Sequence, residues 1–393
     1  NAQNSNFSTK SLPTASYVKN IEDDSWTKNY TWYDTKARPI GSHSINYLGG
    51  YTKTEAELDF AGVAKQTKTY HKRTSSATET VIVEEFTYDS QNRLLIHKHK
   101  VNNQPQEILS QNVYNELSEL KTKKVGGVIA NSPLQTIDFA YNIRGWMTKI
   151  NDPANLSGKL FGYEIKYQNP TNTSVSPAKY NGNIAEIDWA TSNDGVLRRY
   201  GYQYDSLNRL LKGIYQTPTS YLPKNNFYDE ELNYDLNGNI QKLKRFSFTI
   251  GTGTTASKID DLNYVYTGNQ LKSVTDTSQD YRGYPDVSGN PISYDANGNM
   301  INHLDKSILQ IDYNHLNLPK YVKFNDYIVQ RSGFKYVNTT YLYRADGIKL
   351  KKIYTDKDPH STISLATKTN DYLDGFQYES FVSGTLNYSN VLK

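Results

Sequence analysis

Aromatic and polar residues alternate along much of this chain. In Arg199-Tyr200-Gly201-Tyr202-Gln203-Tyr204 the tyrosines fall at every second position. A period of two puts one kind of side chain on one face of a β-strand, so such runs predict strands with a tyrosine-bearing face. Helical periodicity is scarce. Residues 111–124 admit a helical reading, because Val113, Leu117 and Leu120 would share a face. Tyr114-Asn115-Glu116-Leu117-Ser118-Glu119-Leu120 also fits the repeat described next, and strand is the preferred reading there.

The strands recur in a fixed frame. Tyr88-Asp89-Ser90-Gln91-Asn92-Arg93-Leu94-Leu95 returns as Tyr204-Asp205-Ser206-Leu207-Asn208-Arg209-Leu210-Leu211. Tyr234-Asp235-Leu236-Asn237-Gly238-Asn239-Ile240 and Tyr294-Asp295-Ala296-Asn297-Gly298-Asn299-Met300 keep the frame, and weaker copies begin at Tyr33, Tyr114, Tyr141, Tyr180, Tyr266, Tyr313 and Tyr343. From Tyr88 onward successive copies lie 19 to 39 residues apart. That spacing is too irregular for a strict solenoid and fits hairpins joined by variable loops. Asn237-Gly238, Asn297-Gly298 and Asn181-Gly182 suit turns that need positive φ. The Asp or Asn after each Tyr is placed to accept a hydrogen bond from backbone two residues on. The expected fold is all-β, with hairpins wound into a spiralling sheet that forms a partial or complete hollow shell.

Composition changes this picture in one respect. Only 36% of the 393 residues are hydrophobic, and these include 34 tyrosines. The core must therefore draw on tyrosine, whose ring packs while its hydroxyl seeks a partner. Stacked tyrosines on neighbouring hairpins are expected to form cross-strand pairs. Lys plus Arg total 44 against 40 Asp plus Glu, a net charge of +4. So even a balance gives no reason to expect nucleic-acid binding. No run of 18 apolar residues predicts a membrane-spanning helix. The absence of cysteine rules out disulfides and thiolate sites.

Four segments follow from these patterns. Residues 1–20 read as an extended or mobile N-terminal stretch, and 21–80 as a capping segment with the first repeat copy. Residues 81–350 are the hairpin array, with long hairpin tips expected at 251–256 and 276–291. Residues 351–393 contain Asp371-Tyr372-Leu373-Asp374-Gly375, which leaves the frame and reads as the start of a different module.

The Tyr-Asp-x-x-Asn-Arg-Leu frame resembles the YD repeats of bacterial Rhs proteins and their teneurin relatives, with a Bacteroidetes-like flavour carried by residues 33–50 and by Tyr343-Arg344-Ala345-Asp346-Gly347-Ile348-Lys349-Leu350. The resemblance covers residues 30–380, and Asp371-Tyr372-Leu373-Asp374-Gly375 resembles the approach to the Rhs-associated core. It implies hairpins wound into a shell that encloses a toxin, or a surface adhesin such as those exported by type IX secretion. It also implies a self-cleaving core marked by Asp-Pro with spaced Gly and Pro beyond it. The Asp-Pro pairs here, Asp152-Pro153 and Asp358-Pro359, lack that continuation. Neither self-cleavage nor a toxin is therefore expected of these residues, only the wall.

Candidate chemistry is sparse. Acidic residues recur after the motif tyrosines at Asp34, Asp89, Asp205, Asp235 and Asp295; a catalytic pair is needed once, so recurrence assigns them to turn capping. His97 and His99 share one strand face and offer two imidazoles, but no third ligand is evident nearby. Gly251-x-Gly253-x-x-Ala256 has dinucleotide-fingerprint spacing, yet strand-like sequence follows where the fingerprint needs a helix. Trp26, Trp146 and Trp189 are the candidate binding aromatics.

The reading is a non-enzymatic scaffold, extracellular or on the cell surface. The structural residues are Tyr88, Asp89, Asn92, Tyr204, Asp205, Asn208, Tyr234, Asp235, Gly238, Tyr294, Asp295 and Gly298. No cofactor or metal is expected. The expected partners are other parts of the same large protein or a protein in a surface or secretion complex. The alternative is an adhesin that contacts glycan or protein.

Overall fold

The structure, a computed structural model, describes residues 3–4, 6–249, 255–285, 288–325, 335–357, 365–383 and 386–392. It is almost entirely β; Leu304–Lys306 form one short turn of 3-10 helix. Nineteen strands, from Ala15–Lys19 to Gln270–Asp276, belong to one sheet, and seven, from Ile308–Tyr313 to Leu386–Leu392, to another. Pairing is antiparallel between strands adjacent in sequence, as in Thr80–Tyr88 with Leu94–Val101 and Arg198–Tyr204 with Leu210–Gln216. Residues 107–114 and 120–125 are strands, so the helical reading of 111–124 fails. No described helix is long and apolar enough to cross a membrane.

The chain forms two compact units, residues 111–292 and residues 1–110 together with 293–393. In the first, Leu262, Val274 and Tyr284 make a buried cluster, packed by Leu243, Tyr264 and Leu271. In the second, the two ends of the sequence meet. The N–H of Ile21 donates to the Tyr343 carbonyl at 2.8 Å, and that of Ala345 donates to the Lys19 carbonyl at 2.7 Å. His71 stacks on Phe376 with ring centroids 3.8 Å apart. Asp371, which was read from sequence as part of a departing module, lies in the strand Leu365–Leu373 and accepts hydrogen bonds from Tyr47 at 2.5 Å and Arg73 at 2.6 Å.

Candidate functional site

The Tyr-Asp frame folds into one turn geometry. At Asp34, Asn46, Asp59, Asp89, Asn115, Asn142, Asp205, Asp235, Asp295 and Asn314, the same three bonds recur. The Asx N–H donates to the carbonyl four residues on, and its carbonyl accepts the N–H three residues on. Its side-chain oxygen also accepts the backbone N–H four residues on, at 2.8–3.1 Å. The side chain thus supplies an acceptor that the tight loop cannot find in its own backbone. The pairing shifts by one residue at the turn, so that Tyr88 faces Leu94 and Tyr204 faces Leu210. Such a bulge needs a left-handed residue, and the fourth position after Tyr supplies it: Asn92 at φ 59°, Asn208 at 63°, Gly238 at 90° and Gly298 at 85°.

Two chemistries close this loop. Where Arg follows the left-handed residue, its guanidinium grips the capping carboxylate, at 2.6 Å in both Arg93–Asp89 and Arg209–Asp205. Where Asn follows, its amide does so, at 2.8 Å in Asn239–Asp235 and 2.9 Å in Asn299–Asp295. The backbone N–H and guanidinium of Arg93 hold the Asp89 carboxyl below its ordinary range, and Arg209 does the same for Asp205. The side-chain amide of Asn239 is the main cause for Asp235, as Asn299 is for Asp295.

Each chemistry also ties a turn to the next. Arg209 Nη1 donates to the Asp235 carbonyl at 2.8 Å, and Arg38 Nη1 to the Asp59 carbonyl at 3.0 Å. In the Asn turns, Asn237 and Asn239 both donate to Asn269 Oδ1, and Asn297 and Asn299 both donate to Asn317 Oδ1. The positive φ expected of these Asn-Gly pairs is present, and it falls on the glycine and not on Asn237 or Asn297. The asparagines bridge repeats instead.

The motif tyrosines make a second tie. Tyr141 donates its hydroxyl to the Leu120 carbonyl at 3.0 Å, Tyr234 to Leu210 at 2.8 Å, Tyr266 to Ile240 at 3.0 Å and Tyr313 to Met300 at 2.7 Å. Each acceptor lies six residues past the tyrosine of the preceding repeat; Leu120, Leu210 and Ile240 begin the second strand of their hairpins, and Met300 forms an isolated bridge with Tyr294. Tyr204 departs slightly and reaches the Ile184 carbonyl at 2.8 Å. Phenylalanine cannot make this contact, which explains why the repeat uses tyrosine. The ladder expected from ring stacking is thus supplemented by hydroxyl-to-carbonyl bonds. Ring pairs occur too, notably Trp189 with Tyr200 at 5.7 Å and 10°.

Several weaker copies differ. Tyr343 precedes Arg344, which keeps the backbone bonds without an Asx cap. Tyr266 leads into a two-residue turn at Gly268-Asn269, with Thr267 paired to Gln270. Tyr180 lies outside any strand and is exposed. Conversely, the turns at Asn46 and Asp59 lack a preceding Tyr. The signal that would have found them is Asx followed three residues later by glycine, Gly49 and Gly62.

A buried ionic cluster was missed in the sequence. Lys166, Glu186, Asp188 and Arg199 occupy the covered face of the strands Phe161–Lys166, Glu186–Thr191 and Arg198–Tyr204. Lys166 Nζ lies 2.9 Å from Glu186 and 2.7 Å from Asp188, and Arg199 grips Asp188 at 2.6 and 2.8 Å. Burial opposes the charges on Glu186 and Asp188. Lys166 and the N–H groups of Asn172 and Thr171 outweigh it for Glu186, as Arg199 and Lys166 do for Asp188, and both carboxyls are held below their ordinary range. Residues 172–176 cover this face so closely that a Cβ on Gly201 would meet Val175 at 2.8 Å.

The other buried polar face lies in the unit formed by the two chain ends. Ser44 faces Thr52, and Thr52 faces His71. Thr52 Oγ1 and His71 Nδ1 are 2.8 Å apart. His71 Nε2, Ser44 Oγ and Thr27 Oγ1 have no partner. Burial lowers the His71 pKa to about 4.

Of the candidate aromatics, Trp26 is 47% exposed. Trp146 packs on Tyr167 at 5.0 Å, under Arg144, and Trp189 sits within its tyrosine stack. His97 pairs with Glu84 at 2.9 Å and stacks on Phe86, while His99 meets Glu107 at 3.1 Å. Among the described residues no group of three or more His, Cys, Asp or Glu is placed to hold a metal. Ala256 begins the strand Ala256–Thr267, whereas Gly251 and Gly253 of the fingerprint-like run lie outside the described residues. Asp152-Pro153 lies in a turn, and Asp358-Pro359 is also outside the described residues.

No protein-family model matches the chain, and no curated protein matches it. Solved structures do. A crystal structure of TcdB2–TccC3–TEV is 12% identical over 95% of this chain, with a TM-score of 0.52. TcdB2–TccC3 without its hypervariable C-terminal region is 11% identical over 93%, with a TM-score of 0.53. The Photorhabdus luminescens Tc holotoxin pore is 10% identical over 93%, with a TM-score of 0.51. The chain spans about a fifth of their length, 20% to 21%. At such identities the likeness is one of fold, an all-β array followed through nearly the whole of this chain.

Proposed function

We propose that this chain is a wall segment of an Rhs/YD-repeat shell, a non-enzymatic scaffold in a secreted or surface-displayed bacterial protein. It would enclose or display another part of the same protein or a protein partner. The observation that carries this reading is the chain of tyrosine hydroxyl bonds from one hairpin to the carbonyl of the one before. It ties hairpins at unequal spacing to their neighbours, as a wall requires. The YD frame and the fold shared with TcdB2–TccC3 support it. Cryo-electron microscopy of the full gene product tests it, with proteinase digestion alongside. An enclosed volume and a digestion-resistant array are expected. An open strip that is digested as fast as a loop would refute the shell.

A second reading, a surface adhesin contacting protein or glycan, is favoured by the turn tips. Phe60, Ile143 and Leu236 are 90%, 100% and 99% exposed, and Trp26 is half exposed. Glycan-array and pull-down binding that is lost in Trp26→Ala or Leu236→Ser, with the fold intact, would support it.

A further inference from the structure

Three Asn-Gly pairs lie in this chain, Asn181-Gly182, Asn237-Gly238 and Asn297-Gly298. Asparagine before glycine is open to self-attack, because no Cβ shields the glycine nitrogen from the side-chain carbonyl carbon before it. In all three pairs the asparagine amide is held alike. Asn181 and Asn183 donate to Asn208 Oδ1 at 2.7 and 3.2 Å. Asn237 and Asn239 do the same to Asn269, as Asn297 and Asn299 do to Asn317. The glycine nitrogens differ. Gly238 donates its N–H to the Asp235 carbonyl at 3.2 Å, and Gly298 to the Asp295 carbonyl at 3.1 Å, each inside a capped turn. The Gly182 N–H makes no hydrogen bond among the described residues. Asn181 Oδ1 accepts the N–H of Asn183 at 3.1 Å, an Asx turn that folds the side chain back over the intervening Gly182 nitrogen. That bond would also take up charge on the oxygen as the carbon is attacked. Gly182 rests against the Trp146 ring, which a Cβ there would meet at 3.6 Å, and Asn181 is exposed to water.

We propose that Asn181 is a site of spontaneous covalent modification, the pair among the three where the fold leaves deamidation open. The Gly182 nitrogen attacks Cγ of Asn181, the Cγ–Nδ2 bond breaks, and the amide leaves as ammonia with the proton from Gly182. The cyclic imide then takes up a water at either carbonyl, giving aspartate or isoaspartate. The product has no donor for Asn208 Oδ1 and turns a carboxylate toward it. The shorter of the two bonds that Asn208 Oδ1 accepts here is lost, and with it a tie between neighbouring hairpins.

Incubating the folded chain in heavy-oxygen water at neutral pH, then mapping its peptides by mass spectrometry, tests this, because each conversion leaves a solvent oxygen in the product. Label is expected first in the peptide holding Asn181. It should run about fivefold or more ahead of those holding Asn237 and Asn297, the factor that a hydrogen bond on the attacking nitrogen contributes. In urea the three peptides should label at similar rates, since the turns that protect Asn237 and Asn297 are then gone. Asn181→Asp makes the carboxylate product directly. It should speed backbone hydrogen exchange in the turn at Asp205 relative to that at Asp235, with circular dichroism checking the fold. Three results would overturn the proposal: labelling at Asn181 no faster than at the other two in the folded chain, the same preference persisting in urea, or unchanged exchange in well-folded Asn181→Asp.

Discussion

On the strands Phe161–Lys166, Glu186–Thr191 and Arg198–Tyr204, the buried face carries four charges and each has a partner of opposite sign. On Pro39–Ile45, Gly49–Leu58 and Ala64–Thr74, the buried face carries hydroxyls and an imidazole, and Ser44 Oγ and His71 Nε2 have none. The first face is a closed account, except at its rim, where Gln216 donates nothing from Nε2. A satisfied buried network adds little net stability against an apolar core, but breaking one member is costly. It therefore fixes register: a slip of one residue would send Glu186 and Asp188 to the opposite face of the sheet. The second face enforces less and leaves polar capacity unused.

Substitutions can break or sharpen this contrast. The largest effect is expected from Asp188→Ala, which strands Arg199 and Lys166 in a covered site. It should cost about 3–5 kcal/mol, read as a lowered midpoint in urea at unchanged slope. Asp371→Ala unpairs Arg73 and Tyr47 between the two chain ends and should cost about 3 kcal/mol; the same urea titration measures it. A pH series comes next. The His71 pKa is lowered to about 4 from an ordinary value near 6.5, so the unfolded chain binds the proton more readily. Its contribution is then whole above about pH 6.5 and is lost as the pH falls toward about 4. Melting curves from pH 7.5 to 4 should show this slope, and His71→Asn should flatten it. Tyr234→Phe removes one repeat-to-repeat bond and should cost about 1 kcal/mol, whereas Tyr221→Phe, at a residue 89% exposed, should be silent. Smallest is Thr27→Val, which deletes a hydroxyl without a partner and should leave the melting temperature within error. A large loss there would show that the second face is as tightly specified as the first.

Much of the fold was legible because it is local. Asp89, Asn92 and Arg93 lie within five residues of one another, and the turn they make follows from their own hydrogen-bonding capacity. The period of two in Arg199–Tyr204 likewise needs only neighbours. What was hidden depends on distance along the chain. Nothing near Glu186 announces that Lys166 and Arg199 will meet it, and a lone Lys or Glu in a strand reads as a solvated residue. Tyr47 and Asp371 are 324 residues apart. The role of Asn237 also escaped, because Asn before Gly signals a turn so strongly that a bridge to Asn269 is masked. That the motif tyrosines' hydroxyls seek partners was legible; that the partner is a carbonyl of the preceding repeat was not.

The hydroxyl bonds have a consequence for how such a chain can grow. Four of these bonds, from Tyr141, Tyr234, Tyr266 and Tyr313, join a tyrosine at the end of one strand to a carbonyl at the same offset in the preceding hairpin, so the joint is indifferent to the length of chain between them. A gene can duplicate a hairpin, or lengthen the connection between two, and the joint is reproduced without any compensating change elsewhere. Spacings of 19 to 39 residues are then no sign of decay in an ancestral period. They are what an architecture permits when its joints are standardised and its spans are not.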